Sequence, residues 1–173
     1  MSVKTIFAIS GSLRAGSSNH TILQYLGKLA GPSANYIIYD GLSGIPAFDP
    51  GLDNDDPPAA VTVLRNQLAE ADAVIICTPE YAHGVPGALK NALDWTVSSG
   101  SFSGKQTALI TASTGGEDAH EAMIKILNAI DAQLDADTTL LISFIRTKVA
   151  DGNITDKETA EKLSGVLKAL VKP

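Results

Sequence analysis

Cysteine is almost absent from this chain of 173 residues, in which Cys77 is the single residue of that type. A lone cysteine excludes an intrachain disulfide, so the fold depends on a packed core, and the cytoplasm is the expected compartment. Cys77 ends the apolar run 73–77, a setting that is typical of a buried structural thiol rather than a reactive one.

Basic residues and long apolar runs are also scarce. The 13 lysines and arginines are outnumbered by 19 aspartates and glutamates, and the net charge is −6. A nucleic-acid-binding domain needs a basic face, so no nucleic-acid partner is expected. No apolar run approaches the roughly 20 residues of a membrane span, and the N-terminus lacks the form of a secretory signal, so no membrane partner is expected. The three histidines, His20, His83 and His120, have no ligand-like spacing, and we expect no metal site.

The sequence does contain a regular alternation of apolar strands and amphipathic helices. Strands are predicted over 3–9, 35–40, 71–77, 107–112 and 138–143; helices are predicted over 21–30, from 58, over 86–97, over 119–134, and from a capping box at 155–158 to about 171. Right-handed crossovers then predict a single α/β domain over residues 1–173. Its core is a doubly wound five-stranded parallel sheet with helices on both faces.

A loop of small and hydroxyl-bearing residues, 10–19, joins the first strand to the first helix. Such a loop can turn its N–H groups inward at a helix N-terminus, where the helix dipole attracts anions. A dinucleotide-binding motif needs glycine where this loop has Leu13, and a nucleoside-triphosphate loop needs lysine where it has Ser17, so neither motif is present. The loop therefore predicts a cradle for one phosphate. The alternative is an ordinary strand-to-helix turn in which Ser or Asn caps the helix.

Two further loops of small and polar residues, 78–85 and 113–118, follow the third and fourth strands. In doubly wound sheets, ligands bind beyond the carboxyl ends of the strands at the switch point. With the strand order 2-1-3-4-5, taken by analogy with folds of this class, the three loops meet in one cleft. This arrangement predicts one ligand with a phosphate at the first loop and a flat ring against the other two.

The motifs in these loops resemble those of the NAD(P)H-dependent FMN reductase family of flavodoxin-like proteins, which includes quinone, azo-dye and chromate reductases. They are Gly11-Ser-Leu-Arg14 followed by Ser17-x-Asn19, then Thr78-Pro-Glu-Tyr81 leading into a helix at Pro86, and Ser113-x-Gly-Gly116. The chain departs from the family pattern at Ala82 and Gly84, where polar residues are usual.

The resemblance implies FMN as the cofactor, NADPH or NADH as the co-substrate and a small molecule as the electron acceptor. It assigns no catalytic side chain, because the flavin carries the chemistry. The implied cofactor-binding residues are Ser10, Ser12, Arg14, Ser17, Ser18 and Asn19 in the first loop, Pro79, Glu80, Tyr81, Ala82, His83 and Gly84 in the second, and Ser113, Thr114, Gly115 and Gly116 in the third.

Three of these side chains have more than one interpretation. Arg14 faces the flavin phosphate or a phosphate of the nicotinamide cofactor, or is solvated. Tyr81 flanks the ring or is a half-buried tyrosine bonded to a backbone carbonyl. Glu80 serves the ring edge or a subunit contact, or is a solvated acid.

The expected function is an NAD(P)H-dependent FMN oxidoreductase that passes hydride to FMN and electrons on to quinone-like, azo or other small acceptors. The alternatives are a flavodoxin-like electron carrier and a flavin-binding module without turnover. Apolar residues surround more than one face of the helix over 86–97, which predicts a homodimer or homotetramer. The residues concerned are Val85, Leu89, Leu93 and Trp95.

Overall fold

The computed structural model describes residues 3–172. The strands of its main sheet are β1 (Lys4–Ser10), β2 (Ala34–Tyr39), β3 (Ala73–Thr78), β4 (Gln106–Ala112) and β5 (Thr139–Ile142). The helices are α1 (Ser18–Ala30), α2 (Ala59–Glu70), α3 (Gly87–Asp94), α4 (Glu117–Ala129) and α5 (Lys157–Leu170). A small antiparallel hairpin pairs β6 (Val149–Ala150) with β7 (Asn153–Ile154). Within the described residues, no helix has the length and apolar character that a bilayer span requires.

The main sheet has the order β2-β1-β3-β4-β5, and every neighbouring pair is parallel. The predicted doubly wound, flavodoxin-like sheet is therefore confirmed. All six residues of β3 are buried, as expected for a central strand. The carboxyl ends of β1, β3 and β4 lie side by side, so the loops that follow them share one edge of the sheet.

Alternate side chains of each strand enter two different apolar layers. Phe7 and Ile9 of β1 pack with α2, α3 and α4 on one face. Ile6 and Ala8 of the same strand pack with α1 and α5 on the other face. Helices cover both faces of the sheet, as the sequence predicted.

The apolar face of α3 is covered by the chain itself. Three of the four side chains that were predicted to form a subunit contact, Leu89, Leu93 and Trp95, are at most 2% exposed. The fourth, Val85, is partly buried against the same core. The long segment between β2 and α2 lies over them. The indole N–H of Trp95 donates to the Pro46 carbonyl at 2.9 Å, and the rings of Phe48 and Trp95 meet edge-on with centroids 5.0 Å apart. The premise of the predicted homodimer was therefore wrong, because these side chains belong to the core of one chain.

The structure also differs from the predicted elements in smaller ways toward the C-terminus. Helix α5 is capped by Asp156, whose carboxylate accepts from the Thr159 N–H at 2.8 Å, so the predicted capping box at 155–158 is one residue out of register. Helix α4 ends at Ala129 rather than near 134. The hairpin β6–β7 was not predicted, because strands of two residues are too short to show an alternating pattern.

Candidate functional site

The loop after β1 is folded tightly against the end of β3. The Gly11 N–H donates to the Cys77 carbonyl at 2.8 Å, and a Cβ on Gly11 would lie 2.5 Å from Thr78 Oγ1. Within the loop, the Ser10 hydroxyl accepts from the Ser12 N–H at 3.2 Å and donates to the Ser12 carbonyl at 3.0 Å. Position 11 therefore requires glycine, and Ser10 maintains the shape of the loop.

Helix α1 begins with open N-terminal amides. Ser17 is its N-cap, and the Ser17 hydroxyl accepts from the His20 N–H at 3.2 Å. The N–H groups of Ser18 and Asn19 have no acceptor among residues 3–172. The interpretation as a capped turn is thus confirmed, and the capped turn still leaves a helix N-terminus that suits an anion.

The side chain of Asn19 is used inside the protein. It is 4% exposed, its Nδ2 donates to the Ala112 carbonyl at 3.2 Å, and its Oδ1 accepts from the Cys77 thiol at 3.2 Å. Asn19 therefore joins the start of α1 to the ends of β3 and β4, and only its backbone N–H remains for a ligand. The prediction of a buried structural thiol is confirmed, and burial raises the pKa of Cys77 far above its ordinary value.

Glu80 connects the loop after β3 to the helix after β4. Its Oε2 accepts from the Ala119 N–H at 2.9 Å, and its own N–H donates to Ser113 Oγ at 3.2 Å. The N-cap of α4 is Gly116, which has no side chain to cap the helix and adopts a φ of 118°. A carboxylate of the protein thus occupies the N-terminus of α4, whereas the N-terminus of α1 stays open.

The segment after Glu80 forms a tight hairpin turn. Tyr81 and Gly84 exchange both backbone hydrogen bonds at 3.0 Å, and the two residues between them have positive φ, 49° at Ala82 and 58° at His83. This is the pattern of a type I′ turn, which favours Asn and Gly. The His83 Nδ1 lies 2.7 Å from Asp118 Oδ2. Ala82 and His83 are exposed at the tip of the turn.

A cavity of about 400 Å³ lies at this edge of the sheet, between the three loops. Most of the predicted cofactor-binding residues line it, namely Ser12, Arg14, Ser17, Ser18, Asn19, Pro79, Glu80, Tyr81, Ser113 and Thr114. The remaining predicted residues do not line it, namely Ser10, Ala82, His83, Gly84, Gly115 and Gly116. The first of these shapes its loop, and the others form the turn or the entry to α4.

Tyr81 belongs to the cavity wall but is not half-buried against a carbonyl. Its side chain is 53% exposed, and its hydroxyl lies 3.4 Å from Ser12 Oγ. The contact joins the loops after β1 and β3, so all three loops of the cavity are connected by hydrogen bonds of Ser12, Glu80 and Ser113.

Three further residues of the wall, Ala112, Ile145 and Arg146, were not predicted from the sequence. Ala112 is the last residue of β4, and the other two follow β5. Position was the one indication of these residues, since Ala112 stands at the carboxyl end of a parallel strand and Ile145 and Arg146 lie beyond the end of the next one. Arg14 and Arg146 are the basic residues of the wall, and Glu80 is its acidic residue.

The absence of a metal site was predicted from the spacing of the histidines alone. In the structure, possible ligand atoms of Glu80, His83 and Asp118 all lie within 4.8 Å of one another. His83 and Asp118 are largely exposed and bond to each other, and Glu80 is bonded to Ala119. The group is therefore explained as the contact that holds the hairpin turn against α4.

Comparison with known proteins relates this chain to flavoenzymes. Residues 5–145 match the family described as NADPH-dependent FMN reductase. A quinone reductase of Escherichia coli is 33% identical over 172 residues, which cover 95% of this chain and 92% of the relative. An NAD(P)H-dependent FMN reductase of Pseudomonas aeruginosa is 33% identical over 171 residues, with the same coverage of 95% and 92%.

A solved structure agrees with these relatives. FerB from Paracoccus denitrificans, described as a flavoenzyme NAD(P)H:(acceptor) oxidoreductase, superposes with a TM-score of 0.78 at 31% identity. The superposition covers 98% of this chain and 96% of FerB. The matches include the sheet and the loops after β1, β3 and β4.

Proposed function

Because this chain belongs to the NADPH-dependent FMN reductase family, we propose that it binds FMN in the cavity and passes electrons from NADPH or NADH to quinones and similar small acceptors. Relatives named quinone reductase and 2-hydroxy-1,4-benzoquinone reductase support the choice of acceptor. In the overall reaction NAD(P)H gives up a hydride. The acceptor gains two electrons and two protons, and the second proton comes from solvent.

The observation that carries this proposal is the difference between two helix N-termini at the same edge of the sheet. The N-terminus of α4 is occupied by Glu80, whereas α1 presents the free N–H groups of Ser18 and Asn19 beside Arg14. An open helix N-terminus with hydroxyls and a guanidinium nearby suits the dianionic phosphate of a mononucleotide. The residues present therefore fit the phosphate of FMN.

Each part of the cavity wall has a proposed role in holding the cofactor. The hydroxyls of Ser12, Ser17 and Ser18 and the backbone N–H of Asn19 bind the phosphate, and Arg14 neutralises it. The segments 79–81 and 113–114 enclose the ring. When bound, FMN supplies the two-electron chemistry between the nicotinamide and the acceptor.

The chain itself supplies position rather than an acid, base or nucleophile. Glu80 is the carboxylate of the cavity wall, and it is already bonded to the first turn of α4. We therefore assign no catalytic side chain. The wall is open near Tyr81, which is 53% exposed. An open site leaves few buried polar groups unpaired by a poorly matched substrate, so we expect a broad range of acceptors that includes azo compounds.

A cytoplasmic homodimer or homotetramer is also part of the proposal. Exposed apolar side chains occur on two other loops at this end of the sheet, with Leu13 56% and Phe144 65% exposed. Association of two copies over these loops would remove them from water. Light scattering at micromolar concentration tests this part, and a monomer would contradict it.

Stopped-flow mixing under anaerobic conditions tests the proposed activity. FMN-loaded protein is mixed with NADPH while the visible absorbance of oxidised flavin is followed, and a quinone is then added. We expect bleaching within seconds and recovery on addition of the quinone. Slow bleaching with fast reduction by a protein reductase would indicate an electron carrier. Bound flavin that never bleaches would indicate a binding module.

A further inference from the structure

We propose that Arg146 is a second arginine of the FMN phosphate site and that it acts with Arg14 to make flavin binding depend on the phosphate. The inference rests on the proposed function. Arg146 lies one residue beyond the part of the chain that matches the family, which ends at residue 145. None of the three loop motifs in the sequence includes it.

The segment that carries Arg146 is fixed against the loop after β4. The Phe144 N–H donates to the Thr114 carbonyl at 3.0 Å, and the Ile145 N–H donates to the Ser113 carbonyl at 3.1 Å. The Ile145 side chain is 3% exposed and packs in the apolar layer that contains α1 and α5. The backbone next to Arg146 is thus held in place before a ligand binds.

The same segment leads toward α1. After Arg146 the chain enters the β6–β7 hairpin, whose second strand contacts α1. Arg146 lines the same cavity as Ser17, Ser18 and Asn19 at the start of α1. This location associates Arg146 with the part of the cavity that we assign to the phosphate.

The ion pairing of the three arginines of the chain also supports a role for Arg146 in binding an anion. Arg65 is fully engaged, since it pairs with Asp53 at 2.7 Å and donates to the Trp95 carbonyl. Arg14 and Arg146 form no ion pair within residues 3–172, and both line this cavity.

Unpaired arginines are notable in a protein with a net charge of −6, in which acids outnumber bases. The planar guanidinium group binds phosphate oxygens in pairs, which a single lysine cannot do. Two such groups on one wall suit a phosphate monoester dianion better than a neutral ligand. FMN carries one phosphate monoester and riboflavin carries none, so a comparison of the two flavins isolates the contribution of the phosphate.

The test compares FMN with riboflavin on the whole chain stripped of flavin. Dissociation constants are measured by quenching of flavin fluorescence for the wild type, Arg146→Gln, Arg146→Lys and Lys148→Gln. The Lys148→Gln variant is the matched control. It also removes one positive charge, only two residues from Arg146, but the Lys148 side chain does not line the cavity. Arg146 is exposed, so its replacement should leave the thermal transition unchanged.

We expect Arg146→Gln to weaken FMN binding at least about tenfold, with Arg146→Lys between it and the wild type. Riboflavin binding should stay within about twofold, as should the binding of both flavins to Lys148→Gln. Unchanged FMN affinity in folded Arg146→Gln would overturn the inference and leave the proposed function standing. Equal weakening of FMN and riboflavin would also overturn it, because the effect would then not concern the phosphate.

A second readout separates the flavin phosphate from the extra phosphate of NADPH. If Arg146→Gln left FMN affinity unchanged but raised the KM for NADPH and not for NADH, Arg146 would serve the nicotinamide cofactor and the inference would be wrong. A wild-type chain that takes up no FMN would overturn both the proposed function and this inference.

Discussion

The Oε2 atom of Glu80 lies 2.9 Å from the backbone nitrogen of Ala119, and this hydrogen bond joins the loop after β3 to the first turn of the helix after β4. The Glu80 N–H also donates to Ser113 Oγ at 3.2 Å. Two of the three loops around the cavity are therefore fixed to each other before a ligand binds. Because a protein carboxylate satisfies the N-terminus of α4, the N-terminus of α1 is the one that remains for an external anion.

Removal of this cap should destabilise the protein. We expect Glu80→Ala to lower the free energy of unfolding by about 1–2 kcal/mol, as for other helix caps. Glu80→Gln keeps an oxygen acceptor but loses the charge, and should cost about 0.3–1 kcal/mol. Urea denaturation measures both. Glu161→Gln is the control, because its partner Lys157 is 3.7 Å away and both side chains are exposed, so it should change little. A Glu80→Ala variant as stable as the wild type would contradict this role.

The hairpin turn at Ala82 should tolerate a better residue. Ala82 has a φ of 49°, a conformation that costs a residue with a Cβ about 1–2 kcal/mol and that Asn adopts more readily. We expect Ala82→Asn to raise the free energy of unfolding by about 0.5 kcal/mol. The same replacement at Ala160, inside α5, should lower it by about 0.5 kcal/mol, because Asn is a poorer helix former. Destabilisation by Ala82→Asn would show that the turn is not strained.

Stability should fall in mildly acidic solution because of His120. Its Nδ1 lies 2.8 Å from Thr111 Oγ1, and burial lowers the pKa of His120, with nearby Glu121 acting in the opposite direction. As the pH falls, His120 therefore binds a proton at a higher pH in the unfolded chain than in the folded one. The stability contributed by neutral His120 is complete above the unfolded pKa of about 6.5 and is lost as the pH falls through the lower folded pKa.

Urea midpoints measured between about pH 7.5 and about pH 5.5 test this prediction, in a window above the ordinary range of carboxylate titration. We expect the midpoint of the wild type to fall and the midpoint of His120→Gln to fall less. An equal fall in the two proteins would mean that the pH dependence comes from other groups.

The alternation of strands and helices could be predicted from the sequence because it depends on local patterns, whereas the meeting of the three loops also needed the strand order of this fold class. The run 73–77 is apolar at every position, which suits a central strand, and small residues collect after the first, third and fourth strands. Right-handed crossovers then leave few arrangements. These features can be predicted without knowing which side chains are in contact.

The errors concern contacts between distant segments. The apolar pattern identified Leu93 and Trp95 as residues that must be buried, but it could not identify Pro46 and Phe48 as the residues that cover them. In the same way, the motif around Asn19 could not show that its amide is bonded to β3 and β4. Arg146 was missed because it follows a strand whose loop has no unusual composition.

Replacement of Ser17 tests whether the N-terminus of α1 holds the flavin phosphate, because Ser17 caps α1 and lies on the wall of the cavity. Asp and Asn are both good N-caps, so Ser17→Asp and Ser17→Asn should each unfold within about 0.5 kcal/mol of the wild type. They differ in charge, and Ser17 is 3% exposed. A carboxylate at this position would face the phosphate dianion in a site largely shielded from water.

The decisive measurement is therefore the FMN dissociation constant of these two variants. We predict that Ser17→Asn binds FMN within about tenfold of the wild type and that Ser17→Asp binds it at least about 100-fold more weakly. Wild-type affinity for FMN in a folded Ser17→Asp variant would contradict the assignment of the flavin phosphate to the N-terminus of α1.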